Sequence, residues 1–119
     1  MARHIEKGRE SEKIATEYLV SKGYRILETN FRFRHREIDI IAMLHNLLVI
    51  VEVKSWGYES DENPGDLVDI RKQQSIIRAA EAYINLHNID AEVRFDVIFV
   101  YRSEGNRIEH IEDAFQPMA

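Results

Sequence analysis

The apolar and polar positions along this 119-residue chain follow two different periods. In residues 5–22, Ile14, Ala15, Tyr18 and Leu19 recur at helical spacing, while Glu6, Lys7, Arg9, Glu10, Lys13 and Glu17 fill much of the rest. That spacing predicts an amphipathic helix. Gly23 supplies its stop, because glycine most easily takes the left-handed conformation past a helix end. Residues 24–33 then alternate. Phe31 and Phe33 point one way and Arg32 and Arg34 the other, as in a strand. Two stronger strands follow at 37–44, rich in Ile, and at 47–55, with Val49, Ile50, Val51 and Val53. Only His45 and Asn46 separate them, which predicts a hairpin. Asn accepts positive φ readily and His less so.

Residues 56–66 carry Gly57, Pro64, Gly65 and the acids Glu59, Asp61 and Glu62, and predict a loop. A long helix is expected over 67–86, with Ile70, Ile76, Ile77, Ala80, Tyr83 and Ile84 as its apolar face and Asn88 as its end. Residues 93–101 contain the run Val97-Ile98-Phe99-Val100, the pattern of a central strand covered on both faces. A short last strand is expected at 107–111. The order is α-β-β-β-α-β with an extra strand, an α/β fold with a mixed sheet flanked by helices.

Composition narrows the class. The length predicts one domain, 1–119, and 45% hydrophobic with 31% charged residues is the balance of a globular protein. The longest aliphatic run is Leu47-Leu48-Val49-Ile50-Val51, far short of the roughly 20 residues of a membrane span. No apolar stretch follows the charges of the first residues, so no secretory signal is expected. The absence of Cys excludes disulfides, thiolate chemistry and cysteine-bound metals. A cytoplasmic protein is expected. The net charge of −5 hides an uneven distribution: residues 1–36 hold nine Lys and Arg against five Glu, and the remainder holds seven against sixteen acids. A local basic patch can still meet phosphate, because screening confines distant charge.

Glycine-rich phosphate loops, nucleophile elbows and H-E-x-x-H are missing, and the five His show no metal-ligand spacing. The hairpin is the exception. If Leu44 pairs with Leu47, Asp39 falls opposite Glu52 and Glu37 opposite Lys54. Opposed carboxylates ordinarily destabilise a sheet. A divalent cation between them would remove that penalty, since Mg²⁺ is held by one or two carboxylates plus water. Lys54, two residues past Glu52, shares its face and could orient a nucleophilic water. The bland alternative is a buried ion-pair network of Asp39 and Glu52 with Lys54 or Arg36, although such pairs are weak evidence of stability.

Arg32, Arg34 and Arg36 alternate, so in one extended strand they would form either a phosphate rail toward Glu37 and Asp39 or a charged edge that blocks aggregation. Arg71, Lys72 and Arg78 on the long helix are expected to face solvent, with Lys72 a weaker candidate for substrate contact. Asp96, inside an apolar strand, is expected to be a structural partner of Arg94 or a hydroxyl. Trp56 and Tyr58 could stack on a base, with core cover the commoner role.

Asp39, twelve intervening residues, then Glu52-Val53-Lys54 resembles the bipartite PD-(D/E)XK signature of restriction-endonuclease-like nucleases. The surrounding text is more specific. Gly8-Arg9-Glu10-Ser11-Glu12-Lys13-Ile14-Ala15, Tyr18-Leu19, Gly23-Tyr24-Arg25-Ile26-Leu27, Glu37-Ile38-Asp39-Ile40-Ile41-Ala42, Val51-Glu52-Val53-Lys54, Arg94-Phe95-Asp96-Val97 and Ile111-Glu112-Asp113-Ala114-Phe115 resemble the YraN-like family of small bacterial proteins, in order and over nearly the whole chain. One departure stands out: the family usually has Gly before Glu-Ile-Asp, where this chain has Arg36.

The resemblance implies a restriction-endonuclease-like αβββαβ core and an endonuclease related to Holliday-junction resolvases. It implies Mg²⁺ or Mn²⁺ held by Asp39, Glu52 and the backbone carbonyl of Val53, with Lys54 as the motif lysine and Glu12 as a helix-borne acid assisting the site. Arg32, Arg34, Arg36 and Lys72 are the candidates for contact with DNA, including branched or otherwise unusual DNA. A homodimer is compatible with so small a domain, and no organic cofactor is implied. The rival expectation is a non-catalytic nucleic-acid-binding or adaptor domain working through a protein partner, which the net acidity and the acidic loop favour.

Overall fold

The computed structural model describes residues 2–57 and 68–117, with side chains from Gly8 onward. Helix α1 spans Ala2–Ser21, and strands β1, β2 and β3 span Arg25–Phe33, Arg36–Leu44 and Leu47–Trp56. Helix α2 covers Ile70–His87, and β4 (Glu92–Tyr101) is joined by a short 3-10 turn to β5 (Arg107–Phe115). The strands form one sheet in the order β1-β2-β3-β4-β5. The β3–β4 pair is parallel and the other three are antiparallel. A parallel pair needs a crossover, and the segment containing α2 supplies it. This is the α/β arrangement expected, consistent with a restriction-endonuclease-like core.

Each helix buries its stripe against one face of the sheet. Ala15 and Leu19 of α1 pack with Ile40, Ala42, Val49, Val51, Ile98 and Val100. Ile76, Ala79, Ala80 and Tyr83 of α2 pack with Ile41, Leu48, Ile50, Val97 and Phe99. Residues 97–100 are fully buried, alternately to both sides, which explains their unbroken apolar run. Side chains such as Leu19 and Phe99 each stabilise the fold by roughly 1.5–3 kcal/mol through burial.

Local chemistry sets the ends. Gly23 takes φ 94°, and the Tyr24 N–H reaches back to the Leu19 carbonyl at 3.0 Å, closing α1 with a Schellman-type turn. The Asp69 carboxylate accepts from the Lys72 N–H at 2.8 Å, so α2 begins later than its apolar pattern predicts. Asn88, left-handed at φ 51°, ends it as expected. The hairpin has the expected register from Leu44 opposite Leu47 through Ile40 opposite Val51, but the ladder ends there. The expected pairings of Asp39 with Glu52 and Glu37 with Lys54 are therefore not ladder pairs, and Glu37 instead pairs with Arg32 of β1. His45 takes the left-handed conformation of its turn, at φ 54°.

Two expectations change. Residues 32–36 are not one extended strand: Arg34, at φ 60°, and His35 make the turn between β1 and β2. The three arginines therefore do not form a rail. Arg32 pairs with Glu37 at 3.2 Å, Arg34 stacks over the Phe33 ring at 5.1 Å, and Arg36 opens β2. The last strand is longer than 107–111, because β5 stays hydrogen-bonded to β4 as far as Phe95 opposite Phe115, past an irregularity near Asp96. No described helix is long and apolar enough to cross a membrane. Tyr58 and the acidic segment 59–66 lie outside the described residues.

Candidate active site

The hairpin strands stop pairing where their charged residues begin. Pairing between β2 and β3 ends at Ile40 and Val51, and Asp39 instead accepts the Val53 N–H through Oδ2 at 2.8 Å. A side chain thus replaces a ladder carbonyl. The same point is irregular on the other side of β2. Around it β1 and β2 pair Thr29 with Ile40 and Phe31 with Ile38, but Asn30 and Asp39 are not a ladder pair. Asn30 is left-handed at φ 55°. The break inverts the alternation: Ile38 joins Ile41 and Met43 on the α2 side, where strict period two would set it with Ile40 and Ala42.

Asp39 sits at this break between two groups. On the α2 side, Glu52 is 9% exposed and its carboxylate lies 3.6 Å from Lys72 Nζ. The Asp39 and Glu52 carboxyl groups lie within interaction range of each other, and each shifts the ionisation of the other. Burial pushes Glu52 well above the usual carboxylate range, the Asp39 charge pushes it further, and Lys72 and Lys54 only partly offset them. Burial also raises Asp39, against the Val53 N–H, the Glu52 hydrogen bond and Lys72, which lower it. On the α1 side, Glu12 is raised to about 7 by burial and by the Asp39 and Glu37 charges, while a hydrogen bond with Asn30 and the Arg9 charge pull it down. Glu12, Glu37, Asn30, Arg9 and Arg32 line a cavity of about 490 Å³.

The donor set suits a hard cation. Two carboxylates are forced together with less positive charge than they need, and a divalent ion would relieve that repulsion. Among the described residues no three His, Cys, Asp or Glu side chains converge into a cage, so any further ligands would be backbone oxygen or water. Asp39, Glu52 and Val53 are brought together, with Lys54 in the electrostatic range of Glu52. Glu12 approaches from the other side. Lys72 does not simply face solvent, because it turns toward Glu52. Arg32 is held by Glu37 at 3.2 Å and lines the Glu12 cavity with it.

Asn30 escapes a reading by residue type, and the signal for it is slight: a residue tolerant of positive φ inside an alternating strand. Ser11, 1% exposed, is also unforeseen; the Ser55 hydroxyl donates to its Oγ, tying α1 to the end of β3. Trp56 packs against the α2-side core, the commoner of its two expected roles.

Asp96 belongs to a separate centre. It is fully buried and receives two N–H bonds from Arg94 at 2.8 Å each and the Asp113 N–H at 3.0 Å. Its Oδ2 also lies 2.7 Å from His110 Nε2, while Arg94 donates on to the Tyr24 hydroxyl. Burial would raise this carboxyl, but the bonds from His110, Arg94 and Asp113 overturn that and hold it below the ordinary value. The expected Arg94 partnership is present.

The profile of the uncharacterised protein family UPF0102 matches residues 11–100, a span that includes Glu12, Asp39, Glu52, Lys54 and Asp96. The chain belongs to this family. It is 46% identical over 116 residues to a UPF0102 protein of Parabacteroides distasonis, covering 97% of this chain and 96% of the relative. A Flavobacterium psychrophilum relative is 45% identical over 116 residues, covering 97% and 98%. One from Thermodesulfovibrio yellowstonii is 47% identical over 115 residues, covering 97% and 99%. The YraN-like resemblance of the motifs agrees with this membership. Since the matches span nearly the full length of both chains, the acid pair and the Asp96 centre both lie within the shared region.

Proposed function

We propose that this UPF0102 protein is a metal-dependent nuclease that hydrolyses DNA phosphodiesters, with branched or otherwise unusual DNA among its substrates. The observation that carries the reading is the Asp39–Glu52 pair, two carboxylates pressed together at a strand break and raised above their ordinary pKa. A site that only stabilised the fold would be served better by an acid and a base, as at Asp96. The motif Asp39…Glu52-Val53-Lys54 supports the same chemistry.

Asp39, Glu52 and the Val53 carbonyl would hold Mg²⁺ or Mn²⁺. Such an ion, when bound, supplies stabilisation of negative charge on a phosphoryl group and a more acidic water. Lys54 would orient the attacking water and hold its developing charge. Glu12, which titrates near neutrality, can accept or release a proton at working pH, the property that acid–base catalysis requires. Asn30 would fix the Glu12 carboxyl through its hydrogen bond.

The test is a cleavage panel of single-stranded, duplex, flap and four-way-junction DNA with Mg²⁺, Mn²⁺ or chelator. Cation-dependent cutting by wild type, lost in folded Asp39→Asn and Lys54→Ala, is expected. Cutting that survives both substitutions would overturn the assignment. DNA binding without turnover on every substrate would favour the adaptor reading.

A further inference from the structure

A basic cleft that no catalytic role explains is joined to the acid pair through Lys72, which lines the cleft and contacts Glu52. Between the β1–β2 turn and α2 lie two adjoining cavities of about 630 and 300 Å³, sharing Arg36 and Arg78. Arg34, Arg71 and Lys72 also line them, so that among the described residues five cations and the carboxylates of Asp69 and Glu81 face the cleft. Asp69 is already engaged as the cap of α2. This concentration is notable on a chain of net charge −5.

Two details point to a ligand rather than a solvated face. Arg36 Nε is buried with no hydrogen-bond partner among the described residues, and an unsatisfied buried donor is costly. Arg71, Ser75, Arg78, Ala82 and Asn85 follow helical spacing, so the cations of α2 line one groove wall beside its buried stripe. Lys72 links the groove to the acid pair through its 3.6 Å contact with Glu52.

We propose that this cleft is the track for the phosphate backbone of a nucleic-acid strand whose scissile bond lies at Asp39 and Glu52. The inference rests on the nuclease reading for its substrate class, and it replaces the arginine rail with Arg36, Arg71 and Arg78. Arginine suits the task because its planar fork matches phosphate oxygens in pairs. Arg36 Nε gains the acceptor it lacks when a phosphate enters.

The test is anisotropy of labelled single-stranded DNA, duplex DNA and RNA over a salt series, in chelator so that binding is read without cutting. Arg71→Gln/Arg78→Gln removes two exposed cations and leaves the core untouched; Arg36→Gln probes the buried donor. Lys13→Gln/Arg25→Gln, exposed and outside the cleft, is the control for equal charge loss. The Arg71/Arg78 pair should weaken binding about tenfold or more and flatten the log–log salt slope by roughly 1.4–1.8, as expected for two lost phosphate contacts. Arg36→Gln should also weaken binding, and the control should match wild type.

Equal losses in cleft and control variants, wild-type affinity in the cleft variants, or no wild-type binding at low salt would each overturn the track. Persistent cutting with unchanged binding in the cleft variants would remove the track and leave the nuclease standing. Cleft-dependent binding without cutting under any cation would do the reverse. The preferred strand type identifies which nucleic acid the track accepts.

Discussion

Two acid centres lie close together in this sheet on opposite faces, and their environments have opposite consequences. Asp96 is fully buried yet ionised, held by paired N–H groups of Arg94, the Asp113 N–H and His110. Asp39 and Glu52 act on each other, with Lys72 3.6 Å from Glu52 as partial relief, and both are raised. Burial is shared; compensation is not. A fully compensated carboxylate fastens β4 to β5, whereas a partly compensated pair is a site that a cation would suit.

The largest expected effect lies at the compensated centre. Arg94→Ala strands Asp96 without two of its donors and should destabilise the protein by about 3–5 kcal/mol, measured by denaturant unfolding. At the acid pair the sign reverses. Glu52→Gln should raise Tm by about 3–8 °C at pH 8 without divalent ions, because it removes repulsion, while reducing cation-dependent cutting by roughly 10²–10³-fold. A stability loss in that variant would mean that Glu52 is structural, like Asp96.

The pH dependences should also oppose. Glu12 has a folded pKa of about 7 against an ordinary 4.5. Between those values the folded chain keeps a proton that the unfolded chain has lost, so stability falls as pH rises through this window and levels above it. Asp39 and Glu52, also raised, add the same sign. Asp96 is lowered from 3.8, so its contribution is present above that pH and disappears only in stronger acid. Cation-free melting curves from pH 3 to 8 should therefore peak near pH 4–5 for these groups, and Glu12→Gln should flatten the upper limb.

The hairpin register was legible because a two-residue gap left Leu44 and Leu47 as natural partners. The covered run 97–100 was legible because burial on both sides leaves no polar positions. What escaped depends on single backbone angles or on contacts across the fold. Phe31-Arg32-Phe33-Arg34 alternates like a strand, and nothing in an arginine signals that residue 34 will take φ 60°. Asn30 hid likewise. Lys72 reaches Glu52 only after α2 has crossed from β3 to β4. Arg94 and Asp96 are two apart on one strand, so their pairing could be read, while His110 and the Asp113 N–H arrive from β5.

A smaller effect sharpens the role of Asn30. Asn30→Gly keeps access to positive φ but loses the hydrogen bond that lowers the Glu12 pKa. The Glu12 titration, followed by carboxyl NMR, should move upward with little change in Tm. Asn30→Ala should add backbone strain of about 1–2 kcal/mol. An unmoved titration in Asn30→Gly would contradict the positioning role.

The most direct measurement of the central claim is the melting temperature at pH 8 against Mn²⁺ and Mg²⁺ concentration, for wild type, Glu52→Gln and Asp39→Asn. A cation held by the pair should raise wild-type stability progressively, by about 2.7 kcal/mol at a hundredfold excess over Kd. It should leave both variants unmoved. A wild-type melting temperature indifferent to either ion, or equal shifts in all three proteins, would contradict the assignment of Asp39 and Glu52 as a cation site.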